Sequence, residues 1–328
     1  MTVYSVLMTA GGFVLLFLCG EWLLRGAVGL SQDLGLSPLL IGLTVVATAT
    51  SMPELVVSLT AGLGGAPDVA VGNIVGSNIA NILLILGAAA VIQPIMTGLR
   101  VVTRDAGAVV AATALFVALG ATGSFGRPAG LLMLTLFVAY ISFSCWREIR
   151  GKSNPAAEAA PAPAADPPKA ATAPRPVLFR LAYIGGGGIG LVIGSELLVT
   201  GAIDIARALQ VSETVIGLTL VAVGTSLPEL ATAIVAALRR HPDVALGNAL
   251  GSNIFNLLLV LGALAVTTPV RVAPEVLRFD MWVMAGVTVA IVPVMLSGRR
   301  INRVEGALFL ALYAGYIWYQ FQGGSPTG

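Results

Sequence analysis

Residues 20–87 and 195–262 align without a gap at an offset of 175, with 34 identities in 68 positions. The aligned pairs include Glu21 with Glu196, Glu54 with Glu229, Ser77 with Ser252 and Asn81 with Asn256. A match this long arises by duplication, so the chain folds as two copies of one unit. Composition says what kind of unit. The 328 residues are 57% hydrophobic and only 10% charged, against about 25% charged in a soluble domain. Apolar runs long enough to cross a bilayer, about 20 residues each, recur from end to end. The expected class is an all-α polytopic membrane protein with the lipid bilayer as its surroundings. A net charge of +2, with no basic cluster interleaved with aromatics, gives nucleic acid no footprint. Cys19 and Cys145 lie inside apolar runs and read as small buried hydrophobes, not as a disulfide. The N-terminus enters its apolar run without a basic region or a small-residue cleavage site, so that run reads as the first span.

One stretch breaks the pattern. Residues 151–176 are rich in Ala and Pro with scattered charges and cannot bury enough apolar surface to order. They divide the chain into a first unit at 1–150, a linker at 151–179 and a second unit at 180–328. Apolar runs place spans near 5–29, 38–62, 69–93, 105–121 and 128–146, then near 180–206, 212–237, 244–268, 281–297 and 304–321. Five spans per copy make ten transmembrane helices in two repeats of inverted topology. The positive-inside rule tests this independently. With both termini outside and the linker cytoplasmic, 14 of the 18 Lys and Arg fall inside; only Arg127, Arg207, Arg271 and Arg278 fall outside. Locally, Gly64-Gly65 align with Arg239-Arg240, as expected of equivalent loops that face opposite compartments.

Inverted repeats bring matching mid-depth positions together about an axis in the membrane plane. Here those positions are Ala47-Thr48-Ala49-Thr50-Ser51-Met52-Pro53-Glu54 and Ala222-Val223-Gly224-Thr225-Ser226-Leu227-Pro228-Glu229. Each proline removes a backbone donor and frees a carbonyl about one turn earlier, near Ala49/Thr50 and Gly224/Thr225. A glutamate follows each. One charge at bilayer centre costs about 2.5–3.5 kcal/mol even on lenient scales, so two at matching depth call for a cation. The next span of each copy carries Ser77 and Asn81, or Ser252 and Asn256, one helical turn apart on a shared face. Carboxylates, hydroxyls, amides and carbonyls are hard oxygen ligands that suit Ca²⁺ and Na⁺ and not zinc or copper. The single histidine, His241, lies beside Arg240 in a loop. Gly72/Gly76 and Gly247/Gly251 form close-packing patterns. Pro67-Asp68 and Pro242-Asp243 read as helix starts with an N-cap aspartate. Glu21 and Glu196 sit near span ends, where they can snorkel or gate.

These two segments resemble the alpha repeats of the calcium/cation antiporter superfamily, closest to its prokaryotic sodium/calcium exchanger branch. Gly224-Thr225-Ser226-Leu227-Pro228-Glu229-Leu230 followed by Gly251-Ser252-Asn253-Ile254-Phe255-Asn256 is a specific signature, and the likeness spans nearly the whole chain. It implies alternating access, a Na⁺/Ca²⁺ antiporter and no cofactor beyond the transported ions. It also implies Ca²⁺ ligation by Glu54 and Glu229 with Thr50 and Thr225. Sodium would be held by Ser51, Ser77, Ser226, Ser252, the two glutamates and the carbonyls of Ala47 and Ala222, with Asn81 and Asn256 flanking the centre. The chain departs from the pattern twice. Ala49 stands where the family has Gly, and Asn256 where several relatives carry Asp, which leaves the site formally −2 and implies no K⁺ requirement. Proton/calcium exchange through the same glutamates is the alternative. An intramembrane enzyme would want a nucleophile or a His/Cys metal set that is missing here, and a channel would want a ring of equivalent groups instead of a cage.

Overall fold

The computed structural model describes residues 3–151, 176–210, 224–274 and 276–323. It is helical almost throughout. The helices are α1 (Val3–Leu34), α2 (Pro38–Thr50), α3 (Met52–Leu63), α4 (Pro67–Ile92), α5 (Val102–Gly120), α6 (Arg127–Arg150), α7 (Val177–Ala208), α8 (Leu227–Leu238), α9 (Pro242–Thr267), α10 (Val276–Arg299) and α11 (Arg303–Gly323). Among the described residues seven are long and apolar enough to cross a membrane, and eight if α2 and α3, bent by 45° at their junction, count as one span. The counterpart of α2 falls largely on residues 211–223, outside the described residues. α8 is therefore seen alone as a short apolar helix.

Burial separates the helices into a centre and a surround. α4 and α9 have 78% and 83% of their most apolar stretch buried, whereas every other spanning candidate has 39% or less. The two central helices are the ones that carry the Gly-Ser-Asn-Ile signature. Around them, α1 and α7 run antiparallel along their full length. Gly12 meets Leu198 and Gly194 near one end, and Gly187 meets Cys19 and Leu23 further along, each so closely that a Cβ would strike the partner's backbone. Small residues permit this approach, because lipid supplies no hydrophobic drive for association and packing must. Asp33 and Arg180, 3.0 Å apart, join one end of the pair.

Two short strand pairs tie the copies together. β1 (Ile95–Met96) pairs antiparallel with β4 (Arg300–Ile301), and β2 (Ser124–Phe125) with β3 (Val270–Arg271). Each patch takes one strand from each half. Two aspartates, Asp105 buried and Asp280 half-buried, then fix the outer helices: Tyr140 of α6 lies 3.3 Å from Asp105, and Tyr316 of α11 lies 3.0 Å from Asp280. Both aspartates sit in π-helical turns, 102–106 and 276–280.

Pro67 and Pro242 open α4 and α9, with Asp68 and Asp243 in the first turn. The N-cap positions are Ala66 and His241 and make no side-chain cap bond, which corrects the expected aspartate N-cap. Proline's fixed φ suits the first helical position, so the aspartate falls one residue inside, where it still faces the positive helix end. Glu21 is also other than expected. It is 8% exposed and paired with Arg25 at 2.8 Å and Arg239 at 2.6 Å, while Glu196 stays exposed.

The expected close packing is present at Gly247 and Gly251, where a Cβ would collide with the backbone of α2 near Leu39 and Leu43, but at Gly72 and Gly76 a Cβ would meet no described residue within 4 Å. Gly251→Ala should therefore lower stability by about 1–3 kcal/mol through overpacking. Gly315→Ala, where an added Cβ meets nothing within 4 Å, should be neutral or slightly stabilising. Thermal unfolding of the two variants in detergent micelles checks the contrast.

Candidate cation site

The site is built where α2 gives way to α3, and at the matching point before α8. Ser51 and Ser226 have nearly the same non-helical backbone, φ/ψ −88/9 and −89/5. Each is the N-cap of the helix that follows, with Pro53 or Pro228 in its first turn. The pattern Ser-x-Pro-Glu is that of a capping box, in which the serine hydroxyl would bond its own helix. Neither does. Ser51 instead donates to Oε1 of Glu229 at 3.0 Å and lies 2.9 Å from the Ser252 hydroxyl. The helix breaks thus release a hydroxyl from local capping and turn it on the other half of the chain.

Glu54 and Glu229 occupy the first turn of α3 and α8, each 1% exposed. A helix N-terminus offers partial positive charge there, which stabilises a carboxylate. The two carboxylates lie close enough to repel each other. Oε2 of each is buried with no hydrogen-bond partner. Among the described residues no three His, Cys, Asp or Glu side chains converge.

Neutral oxygens and amides complete the shell, and their contacts come in pairs at the 175-residue offset. Thr50 Oγ1 lies 3.1 Å from Asn248 Oδ1, and Thr225 Oγ1 lies 3.3 Å from Asn73 Oδ1. Ser51 meets Ser252, and Ser226 lies 3.5 Å from Ser77. Asn81 donates to Asn253 at 2.9 Å. Asn81 and Asn256 stand first and second in the π-helical turns 81–86 and 255–260, the kind of irregularity found at functional sites. Asn81 keeps an unpaired Oδ1, and Asn256 has both amide atoms unpaired. A buried polar atom left without a partner costs about 1–3 kcal/mol, so acceptor oxygens collected this way point to a ligand that is a cation.

Of the residues expected to hold ions, Thr50, Ser51, Glu54, Ser77, Asn81, Ser226, Glu229, Ser252 and Asn256 are buried in this one region, with Ala47 beside them. Thr225 is half-buried. The Ala47 carbonyl accepts from the Ser51 N–H at 2.9 Å and lies 3.5 Å from the Thr50 hydroxyl. Ala222 lies outside the described residues. The sequence alone assigns no role to Asn73, Asn248, Asn78 or Asn253, yet Asn73, Asn248 and Asn253 join the network, while Asn78 turns back to the Ile74 carbonyl of its own helix. Their signal is present in the sequence: Asn73 and Asn248, like Asn78 and Asn253, are identical across the repeat.

The family described as sodium/calcium exchanger protein matches residues 4–146 and 179–322, one match in each half. The chain belongs to the sodium/calcium exchanger family. Its members are membrane antiporters, not enzymes, and this chain is of the prokaryotic type. CaxA of Alkalimonas amylolytica is 38% identical over 94% of this chain and 96% of its own length. The sodium/calcium exchanger MaX1 of Methanosarcina acetivorans is 30% identical over 93% and 95%. A solved structure of the sodium-calcium exchanger NCX_Mj, soaked with zero Na⁺ and Ca²⁺, superposes with a TM-score of 0.81 at 30% identity, covering 97% of this chain and 99% of that one. The exchanger fold of this chain therefore extends across both copies.

Because Ser51 and Ser252 come from different halves, their bond should register as coupling between them. In a double-mutant cycle, Ser51→Ala and Ser252→Ala should interact by about 0.5–3 kcal/mol. Strictly additive losses in chemical denaturation would show that the hydroxyl pair does not join the halves.

Proposed function

We propose that the chain is a Na⁺/Ca²⁺ antiporter working by alternating access, with Glu54 and Glu229 as the central ligands. The observation that carries this reading is the pair of buried Oε2 atoms without partners at the first turns of α3 and α8. One Ca²⁺ balances two carboxylates, and Thr50 and Thr225 complete its shell. Sodium takes the same carboxylates together with Ser51, Ser77, Ser226, Ser252, the carbonyls of Ala47 and Ala222, and the amides of Asn81 and Asn256. Either ion substitutes for the other because both are hard and oxygen-seeking. Competition for one charge-limited site is what couples their movements. The relatives' names and the soaks of NCX_Mj with Na⁺ and Ca²⁺ support these ions as cargo.

The architecture proposed is ten helices in two inverted five-helix repeats, 1–150 and 180–328, joined by a cytoplasmic linker at 151–179. In the first, α2 and α3 form one broken span; in the second, α8 ends the equivalent span. The antiparallel run of α1 against α7, which are offset-related helices, supports the inversion. So does the exchange of strands between β1·β4 and β2·β3. Both termini then lie outside a cell membrane. Cysteines placed at Gly64 and His241 should label with an impermeant thiol reagent from opposite faces. Labelling of both from one face would remove the inversion, and the central meeting of the glutamates with it.

Flux in reconstituted vesicles tests the chemistry. A Na⁺ gradient at fixed pH should drive Ca²⁺ uptake, and a pH gradient alone should not. Glu54→Gln and Glu229→Gln should each weaken Ca²⁺ binding by more than about a hundredfold and abolish uptake, since a divalent ion would face half its counter-charge. Replacing K⁺ by choline on both sides should change nothing. Asn256 is neutral, so K⁺ beside Ca²⁺ would place an uncompensated charge in the membrane. Near-normal uptake by either glutamine variant would place the ion path elsewhere.

A further inference from the structure

A second polar feature lies outside the cation site. A cavity of about 480 Å³ opens beside the α1–α7 pair and the end of α8, walled by Glu21, Arg25, Gln32, Arg180, Tyr183 and Arg239 among others. None of the cation-site residues lines it. Three guanidiniums meet two carboxylates here. Glu21 accepts from Nε of both Arg25 and Arg239, at 2.8 and 2.6 Å, and Asp33 accepts from Nε of Arg180 at 3.0 Å. In every case only Nε is used. The terminal Nη groups of all three arginines make no hydrogen bond among the described residues. An arginine engaged through Nε alone keeps its forked face for a second acceptor, and a phosphate group is the acceptor that fork matches.

The cavity is shaped for these side chains. Arg180 lies against Gly29 so closely that a Cβ there would overlap its guanidinium. At the rim, Phe179 packs on Tyr183 at 4.9 Å between ring centres and Trp22 on Tyr183 at 6.3 Å. Leu178, Leu181 and Trp22 are exposed next to it. Aromatics at the end of a spanning helix pair mark headgroup depth. Exposed apolar side chains beside them suit acyl chains. Basic pockets between transmembrane helices at that depth take lipid headgroups.

We infer that this cavity binds a phosphate ester, with Arg25, Arg180 and Arg239 as its ligands and an anionic phospholipid as its source. The occupant joins α1, α7 and the end of α8 at one point and meets the surplus guanidinium charge that Glu21 and Asp33 leave.

The full-length protein in a neutral detergent provides the test. Dioctanoyl phosphatidylglycerol, dioctanoyl phosphatidylcholine and inorganic phosphate are titrated separately while the thermal unfolding midpoint is followed. Phosphatidylglycerol should raise the midpoint saturably and phosphatidylcholine much less. The double variant Arg25→Gln/Arg180→Gln should weaken the apparent affinity about tenfold or more. Gly29→Ala keeps every charge but displaces Arg180, and it should weaken binding in the same direction even if the double variant folds poorly. Arg271→Gln, remote from the cavity, should bind as the unaltered protein does. A saturable shift with inorganic phosphate of equal size would keep the phosphate site and overturn its lipid source. Equal shifts from the two lipids, no saturable shift, or affinity unchanged in Gly29→Ala would overturn the site.

Discussion

Taking a carboxylate out of water costs several kcal/mol, and a second one close by adds repulsion that the low dielectric does little to screen. Glu54 and Glu229 are enclosed at 1% exposure under that penalty. What lowers it is visible in the backbone. A helix starts just before each glutamate, at Ser51 and at Ser226, so a positive helix terminus faces each carboxylate in the middle of the bundle, where a continuous helix would offer none. The proline makes the restart cheap, because the first turn of a helix does not need its N–H. The remaining deficit is a charge deficit, which neutral hydroxyls and amides cannot fill. The rest of the architecture arranges groups around that deficit.

The arrangement is made between halves. Ser51 reaches Glu229 and Ser252, Thr50 reaches Asn248, Thr225 reaches Asn73, and Asn81 reaches Asn253. No half contains a complete set of these partners, so the site exists only when the halves are docked. The same logic governs the frame. β1 finds its partner in β4 and β2 in β3, and Gly251 lets α9 approach the backbone of α2. Close backbone contact in the centre holds short polar side chains within bonding distance. Serine, threonine and asparagine span little, and a helix one Cβ further away would part them.

Much of this is legible in the sequence. The repeat alone pairs Glu54 with Glu229, and apolar run lengths mark nearly every helix to within a few residues. What the sequence does not show follows from its one-dimensional nature. Ser-x-Pro-Glu reads locally as a capping box, and only tertiary structure reveals that its serine turns away. Asn73 and Asn248 look like polar residues on a helix face until the opposing threonine is seen. Glu21 reads as a residue free to snorkel because its partner Arg239 is distant in sequence. The first-turn aspartates read as N-caps, one position too early, because proline and aspartate both signal a helix start.

The last feature is a broken symmetry. Residues 78 and 81 match 253 and 256, so the bond from Asn81 to Asn253 has a counterpart between Asn256 and Asn78. That counterpart is not made. Asn78 donates to the Ile74 carbonyl at 2.7 Å, and Asn256 keeps both amide atoms unpaired. Identical side chains in offset-related places thus hold different partners, while the threonine–asparagine and serine–serine contacts around them remain paired. The nearest sequence difference is Ala80 against Phe255, whose ring packs edge-on against Phe137 at 6.0 Å. A large side chain anchored on α6 in one half only gives α9 a constraint that α4 lacks.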